Sequence, residues 1–325
     1  MTNKLQHYVP QWYLKSFGSN SERIKVIDRV KSKSYVTHVS NAAAETGYYD
    51  YVDANGEISR SVEADLSALE HSAAKAIRRM LRSGLPISEA MRHQICAFVA
   101  AQYLRGPRRR DAHNLLSDQL AKATLTGMSK VAIARLLSEK RGCDPSPEEV
   151  DKYAKAIRNT DSYRVEATNA PAKILAENLE SIYQLVVGMY SVEVITQPMP
   201  WLFTSDDPVC LVRQPANDRF QPWEGIGIGT ADEILLPLDR SSLLVLHNSA
   251  LHDEASRFQR TRSATQLDIE RYFFILLEQS YKYIFLHPDE DWLDPAGLPP
   301  PSDPIKMSGS IIEMARMIRE HHEAE

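Results

Sequence analysis

Two helical segments carry charged and amide side chains where their periodicity calls for apolar ones. Across residues 62–81 an apolar stripe runs through Leu66, Leu69, Ala73, Ile77 and Met80. At about 100° per residue, Glu70 falls about 40° and Glu63 about 60° from Leu66, on the shoulder of that stripe. In the next segment Met91, Ile95, Phe98 and Val99 share a face. Gln102 falls about 20° from Ile95, inside that face, and Arg105 about 80° away, on its edge. A carboxylate or amide buried without a partner is strongly disfavoured. These groups therefore either satisfy one another, as a lock between adjacent helices, or line a polar pocket. Two carboxylates, an amide and a guanidinium in one pocket would suit a divalent cation and a phosphate.

Two short motifs could add to such a pocket. Thr204-Ser205-Asp206-Asp207-Pro208 follows the apolar run Trp201-Leu202-Phe203, and acids at a strand end serve as metal ligands or acid–base groups. They are equally common in turns, which Asp before Pro favours. His7 stands just ahead of Pro10, a residue suited to start a helix, and could act as a base or ligand or as a hydrogen-bonded structural residue.

Charge distribution adds a polyanion signal. The net charge is −5, yet residues 78–110 hold eight arginines and a single acid, Glu89. Such a patch attracts phosphate, or pairs with acids elsewhere in the fold. Arg105, Arg108, Arg109 and Arg110 are its densest part and the expected nucleic-acid contacts.

The elements that must position these residues can be read from caps, breakers and alternation. The sequence predicts a short helix from Pro10, a hairpin over 24–39, and a second hairpin turning at Asp53-Ala54-Asn55-Gly56. Helices follow over 62–81, from Ser88 to Arg105, over 111–140, from a Ser146-to-Glu149 capping box to Asn159, and over 170–187. Short β-rich runs then occupy 191–247, followed by a helix over 265–279 and a strand over 281–287. The expected architecture is one α+β domain over residues 1–290. A helical middle packs against an antiparallel sheet formed by N-terminal hairpins and C-terminal strands. Residues 291–325 read as a proline-rich connector and a C-terminal amphipathic helix.

The opening His7-Tyr8-Val9-Pro10-Gln11-Trp12-Tyr13-Leu14-Lys15-Ser16-Phe17 resembles a bacterial family, domain of unknown function 4238. Glu63 with Glu70, Gln102 with Arg105, and the 204–208 motif extend the resemblance over about residues 5–290. The family often has Asn at position 207, which makes Asp206 the stronger candidate of the two acids. The resemblance implies that His7, Glu63, Glu70, Gln102, Arg105 and Asp206 form one constellation, and it implies no particular activity.

Composition bounds the options. Cys96, Cys143 and Cys210 form no close pair, which points to a reducing compartment and hence the cytoplasm. No apolar run is long enough for a membrane span. No Walker, His-Glu-x-x-His or Gly-x-Ser-x-Gly motif occurs, and Gly225-Ile226-Gly227-Ile228-Gly229 leads into a strand, so no organic cofactor is expected. The expectation is a metal-dependent phosphodiester hydrolase, nuclease-like, used as a defence or toxin effector. Glu70 and Asp206 would hold Mg²⁺ or Mn²⁺, and a nucleic acid or another phosphate-containing ligand would be the partner. The alternative is a non-catalytic ligand- or nucleic-acid-binding module with a structural polar network.

Overall fold

Side-chain caps and apolar patterning set most of the element boundaries. The computed structural model describes residues 5–52, 55, 57–59, 61–167, 170–213, 226–248 and 258–301. The chain opens with β1 (Leu5–His7), enters the short helix α1 (Gln11–Leu14) through Pro10, and forms the hairpin of β2 (Arg23–Asp28) and β3 (Lys33–His38). β4 (Ala44–Thr46) returns to pair with β1. β5 (Tyr51–Val52) pairs with β6 (Ile58–Ser59) where the second hairpin was expected. Positions 53, 54 and 56 of its turn lie outside the described residues, as does the helix expected near the C-terminus.

The helical middle begins with α2 (Ser61–Ser83) and α3 (Glu89–Arg105), the latter capped by Ser88, which accepts the Met91 amide. The helix expected over 111–140 is two: α4 (Pro107–Thr126) and α5 (Lys130–Arg141). Gly127 weakens the helix, and Ser129 starts a new one by accepting the Ala132 amide. α6 (Pro147–Arg158) starts from the Ser146–Glu149 capping box, and α7 (Ala170–Met189) follows. No helix of the described residues is long and apolar enough to cross a membrane.

The remaining elements are β7 (Tyr190–Thr196), β8 (Thr204–Ser205), β9 (Cys210–Val212), β10 (Glu233–Pro237), β11 (Ser242–Asn248), β12 (Gln259–Ser263), α8 (Gln266–Gln279) and β13 (Tyr283–Leu286). They belong to two larger sheets, not one. The first has the order β12-β7-β11-β10-β9, antiparallel except where β12 runs parallel to β7. The second, β3-β2-β13-β8, joins the N-terminal hairpin to C-terminal strands, as expected.

The five-stranded sheet is covered on both faces, which is why β9, β10 and β11 read as nearly continuous apolar runs. Val192, Val194, Ile234, Leu244 and Leu246 share a core cluster with Ala73 and Ile77 of α2 and Phe98 of α3. Ile195, Leu235, Leu243 and Val245 pack instead with Tyr272 and Leu276 of α8.

Contacts divide the chain into two compact units, a division absent from the single-domain expectation. The first holds Met1–Arg110 and most of the chain after Pro171, with all the sheets and the candidate residues. The second is centred on Asp111–Ala170. Its core joins Ile133 and Leu137 to Val150, Ala154 and Ile157. Asp118, buried there, accepts the Val165 amide at 2.7 Å and pairs with Lys122 at 2.9 Å.

Candidate functional site

Arg105 ends α3 with its side chain removed from solvent, at 1% exposure. A guanidinium there requires acceptors on every edge. Its Nη1 donates to Glu70 Oε1 at 2.5 Å, while Nε and Nη2 both donate to Gln102 Oε1, at 2.9 and 2.6 Å. Gln102, also buried, uses its amide nitrogen to donate to the Tyr8 carbonyl at 3.0 Å. The Tyr48 hydroxyl donates to the Arg105 carbonyl at 2.9 Å, satisfying an acceptor at the helix end. The polar residues on the apolar faces of α2 and α3 thus meet one another and join both helices to the N-terminal segment.

β1 adds the next shell. Gln6, wholly buried, donates from Nε2 to Asp50 at 2.7 Å and to Glu63 at 3.3 Å, and accepts the Tyr49 amide at 2.6 Å. Neighbouring His7 is partly buried, and its Nε2 lies 3.1 Å from the Ser40 carbonyl, a contact that the Nε2–H tautomer makes. Burial holds the His7 imidazole below its usual range, against the opposing pull of Ser40 and of the Glu70 charge. His7, Glu63, Glu70, Gln102 and Arg105 therefore belong to one neighbourhood. Gln6, Tyr49 and Asp50 are members that the sequence reading missed. A glutamine between Leu5 and Tyr8 in the opening strand was the available signal.

Asp206 sits in a different set of contacts. Its side chain is wholly buried and accepts the Lys282 amide at 2.9 Å and the Tyr281 amide at 3.2 Å, at the approach to β13. Burial pushes its carboxyl up to about 7, against the amide bonds and with the charge of Asp207 adding to the rise. Asp207 pairs with Arg108 at 2.8 Å. Gly106 makes this approach possible, since a Cβ there would lie 3.2 Å from Asp207 Oδ1 and 3.4 Å from the Asp206 carbonyl. Glu70 and Asp206 are thus held by separate partners. Among the described residues, no group of three His, Cys, Asp or Glu side chains is placed to hold a metal ion.

The arginines expected to meet nucleic acid turn into the fold. Arg105 is locked as described. Arg108 also donates to the Gln279 carbonyl at 2.8 Å, near the end of α8, where positive charge is favoured. Arg109 lies over the Tyr103 ring at 4.0 Å, and Arg110 pairs with Glu45 at 2.5 Å and lies 5.0 Å from the Tyr48 ring. Arg105, Arg108 and Arg110 thus pair with acids of the chain, and Arg109 with an aromatic ring.

A further polar network escaped the sequence reading. Glu193, at 1% exposure on β7, accepts from Arg260 at 2.6 Å, Arg262 at 2.9 Å and His247 Nε2 at 3.0 Å. Arg271 pairs with Glu233 at 2.9 Å, and Arg262 reaches Asp268 at 2.6 Å. Burial alone would raise Glu193, but the hydrogen bonds from His247 and Arg260 and the charge of Arg262 hold it at about 2. An acid between Val192 and Val194 was the signal here. Each acid faces an arginine of opposite charge, which makes this a bracing network across β7, β12 and α8.

Together these features define an α+β protein whose helical pair is locked to its N-terminal segment by buried polar residues. The chain belongs to the family described as Protein of unknown function (DUF4238), whose model matches residues 5–290. That match spans the opening motif, both helices of the lock and the 204–208 segment. No curated protein and no solved structure gave a match.

Proposed function

We propose that this chain is a non-catalytic binding module for a phosphate-bearing ligand, with His7, Glu63, Glu70, Gln102 and Arg105 bracing the fold. The observation that carries this reading is that every side-chain nitrogen of Arg105 already meets an acceptor within the chain. Both its terminal nitrogens and its Nε are bonded to Glu70 and Gln102. Three of its five N–H groups are used in this way and the side chain is out of solvent, which leaves little of it for a phosphate. The hydrolase expectation needs Glu70 and Asp206 around one Mg²⁺ or Mn²⁺. In the fold Glu70 Oε1 already meets Arg105 and both Asp206 oxygens already accept backbone amides, which weighs against that use. Support for a phosphate-bearing partner comes from α2, where Lys75, Arg78 and Arg79 are exposed and none forms an ion pair with the described residues.

The test pairs cleavage with binding. Purified protein is incubated with Mg²⁺ or Mn²⁺ and labelled DNA, RNA and cyclic dinucleotides, beside Glu70→Ala and Asp206→Ala. The expected outcome is no cleavage by any of the three proteins, together with salt-sensitive binding of a phosphate-bearing probe by the wild type. Metal-dependent cleavage that both variants lose would overturn the binding reading in favour of a nuclease-like hydrolase.

A further inference from the structure

The arginine-rich region divides into two halves with different fates. From Arg105 to Arg110 the arginines meet acids of the fold or, for Arg109, the Tyr103 ring. Along the second half of α2 they do not. Residues 71–83 contain Lys75, Arg78, Arg79 and Arg82 and no acid. His71, Lys75 and Arg79 are exposed, and none of the three forms an ion pair with the described residues. They stand at positions i, i+4 and i+8, which places them along one side of the helix.

That side borders a cleft. His71, Ser72, Lys75, Ala76 and Arg79 of α2 line it from one wall, and Met91 and Gln94 of α3 from the other. Its volume is about 300 Å³, within the range of small-molecule sites. Three cationic or protonatable groups stand on one wall. Buried Ala76 and half-buried Met91 supply an apolar surface. The half-buried amide of Gln94 makes no hydrogen bond to the described residues. The Ser72 hydroxyl donates to the Leu69 carbonyl at 2.8 Å, so its oxygen keeps lone pairs for a ligand donor.

We propose that this cleft between α2 and α3 binds a phosphate-bearing small molecule of nucleotide size. Lys75 and Arg79 take the phosphate, with His71 beside them. Met91 and Ala76 contact the apolar part of the ligand, and Gln94 hydrogen-bonds its polar edge. A bare polyanion would need only the cations. The concave shape and the mixed apolar and amide lining are what favour a ligand with both a phosphate and a ring. This assignment rests on the binding-module reading and supplies its site and ligand class.

The experiment uses the full chain and titrates ATP, inorganic pyrophosphate and short single-stranded DNA by calorimetry, with thermal melts to confirm folding of each variant. ATP is expected to bind the wild type and to weaken about tenfold or more in Lys75→Gln/Arg79→Gln, the loss typical of removing charge-assisted contacts to an anion. Met91→Ala is expected to weaken ATP while leaving pyrophosphate unchanged. ATP binding that is equal in wild type and the double variant overturns the cleft assignment and leaves the module reading standing. DNA binding without ATP binding, lost in Arg78→Gln/Arg82→Gln, also overturns it, because the outer ridge of α2 would then be the contact. Failure of all three probes to bind removes both readings.

Discussion

The carboxylate of Glu70 meets the guanidinium of Arg105 at 2.5 Å, and this contact ties the middle of α2 to the last residue of α3. The arginine is out of solvent while the Glu70 side chain keeps 20% exposure, so the pair is buried on one side only. Removing one partner strands the other. Arg105→Met is expected to destabilise the protein by about 3 kcal/mol, the lower end for breaking a buried pair. Replacing both residues with Met should be less harmful than the arginine change alone. Urea unfolding midpoints measure this, and an Arg105→Met protein as stable as wild type would show that the contact contributes nothing.

Asp206 gives a pH dependence of unusual sign for a carboxylate. Its folded value of about 7 lies above the ordinary 3.8, so the native state holds a proton that the unfolded chain releases. The contribution is present at low pH, declines as pH rises from about 4 to about 7, and is flat above that. Asp206→Asn, which still accepts through its carbonyl oxygen, should remove the decline. Unfolding midpoints of both proteins across that interval provide the comparison, and parallel curves would contradict the protonated carboxyl.

Glu193 behaves in the opposite direction. It is held at about 2, below the ordinary 4.5, so its contribution is complete above about 4.5 and lost as pH falls towards 2. Glu193→Gln should lower stability at neutral pH and flatten the acid limb of the unfolding curve. A variant with an unchanged acid limb would show that the three basic groups around Glu193 do not favour its charge.

Gly106→Ala tests the close approach of the α3–α4 junction to the 206–208 segment. The added methyl would meet Asp207 Oδ1 at 3.2 Å, and Arg108 limits how far that carboxylate can shift. Backbone strain plays no part, because Gly106 has φ −62°. A loss of about 1–2 kcal/mol is expected, as for modest overpacking. A thermal melt unchanged from wild type would show that the segment yields freely.

The lock between α2 and α3 was legible because a helix of known period shows when a polar residue falls on its buried side, as Gln102 does. The strands β7, β10 and β11 were also legible, through β-rich runs such as Ile234-Leu235-Leu236. Other features had no local signature. β12 is an edge strand of consecutive polar residues, Gln259-Arg260-Thr261-Arg262, whose partner lies in parallel register on β7. β1 and β4 are three residues each, too short for a pattern. Asp206 was grouped with Glu70 because both are acids in one family motif set. Which amides would take its carboxylate depends on how the chain turns into β13, and no spacing encodes that. The inward turn of Arg108 and Arg110 likewise depends on Asp207 and Glu45 arriving from distant segments.

The position of β13 between β2 and β8 has a consequence for biosynthesis. The N-terminal hairpin emerges from the ribosome early, yet its inner neighbour, Tyr283–Leu286, is made more than 240 residues later. Until then β2 carries an open edge of unpaired amides and carbonyls, flanked by Val26 and Ile27, the kind of surface that recruits chaperones or adheres to other nascent chains. Completion of this sheet therefore waits for the synthesis of Tyr283–Leu286, and polypeptides halted before Tyr283 would be clients of quality control.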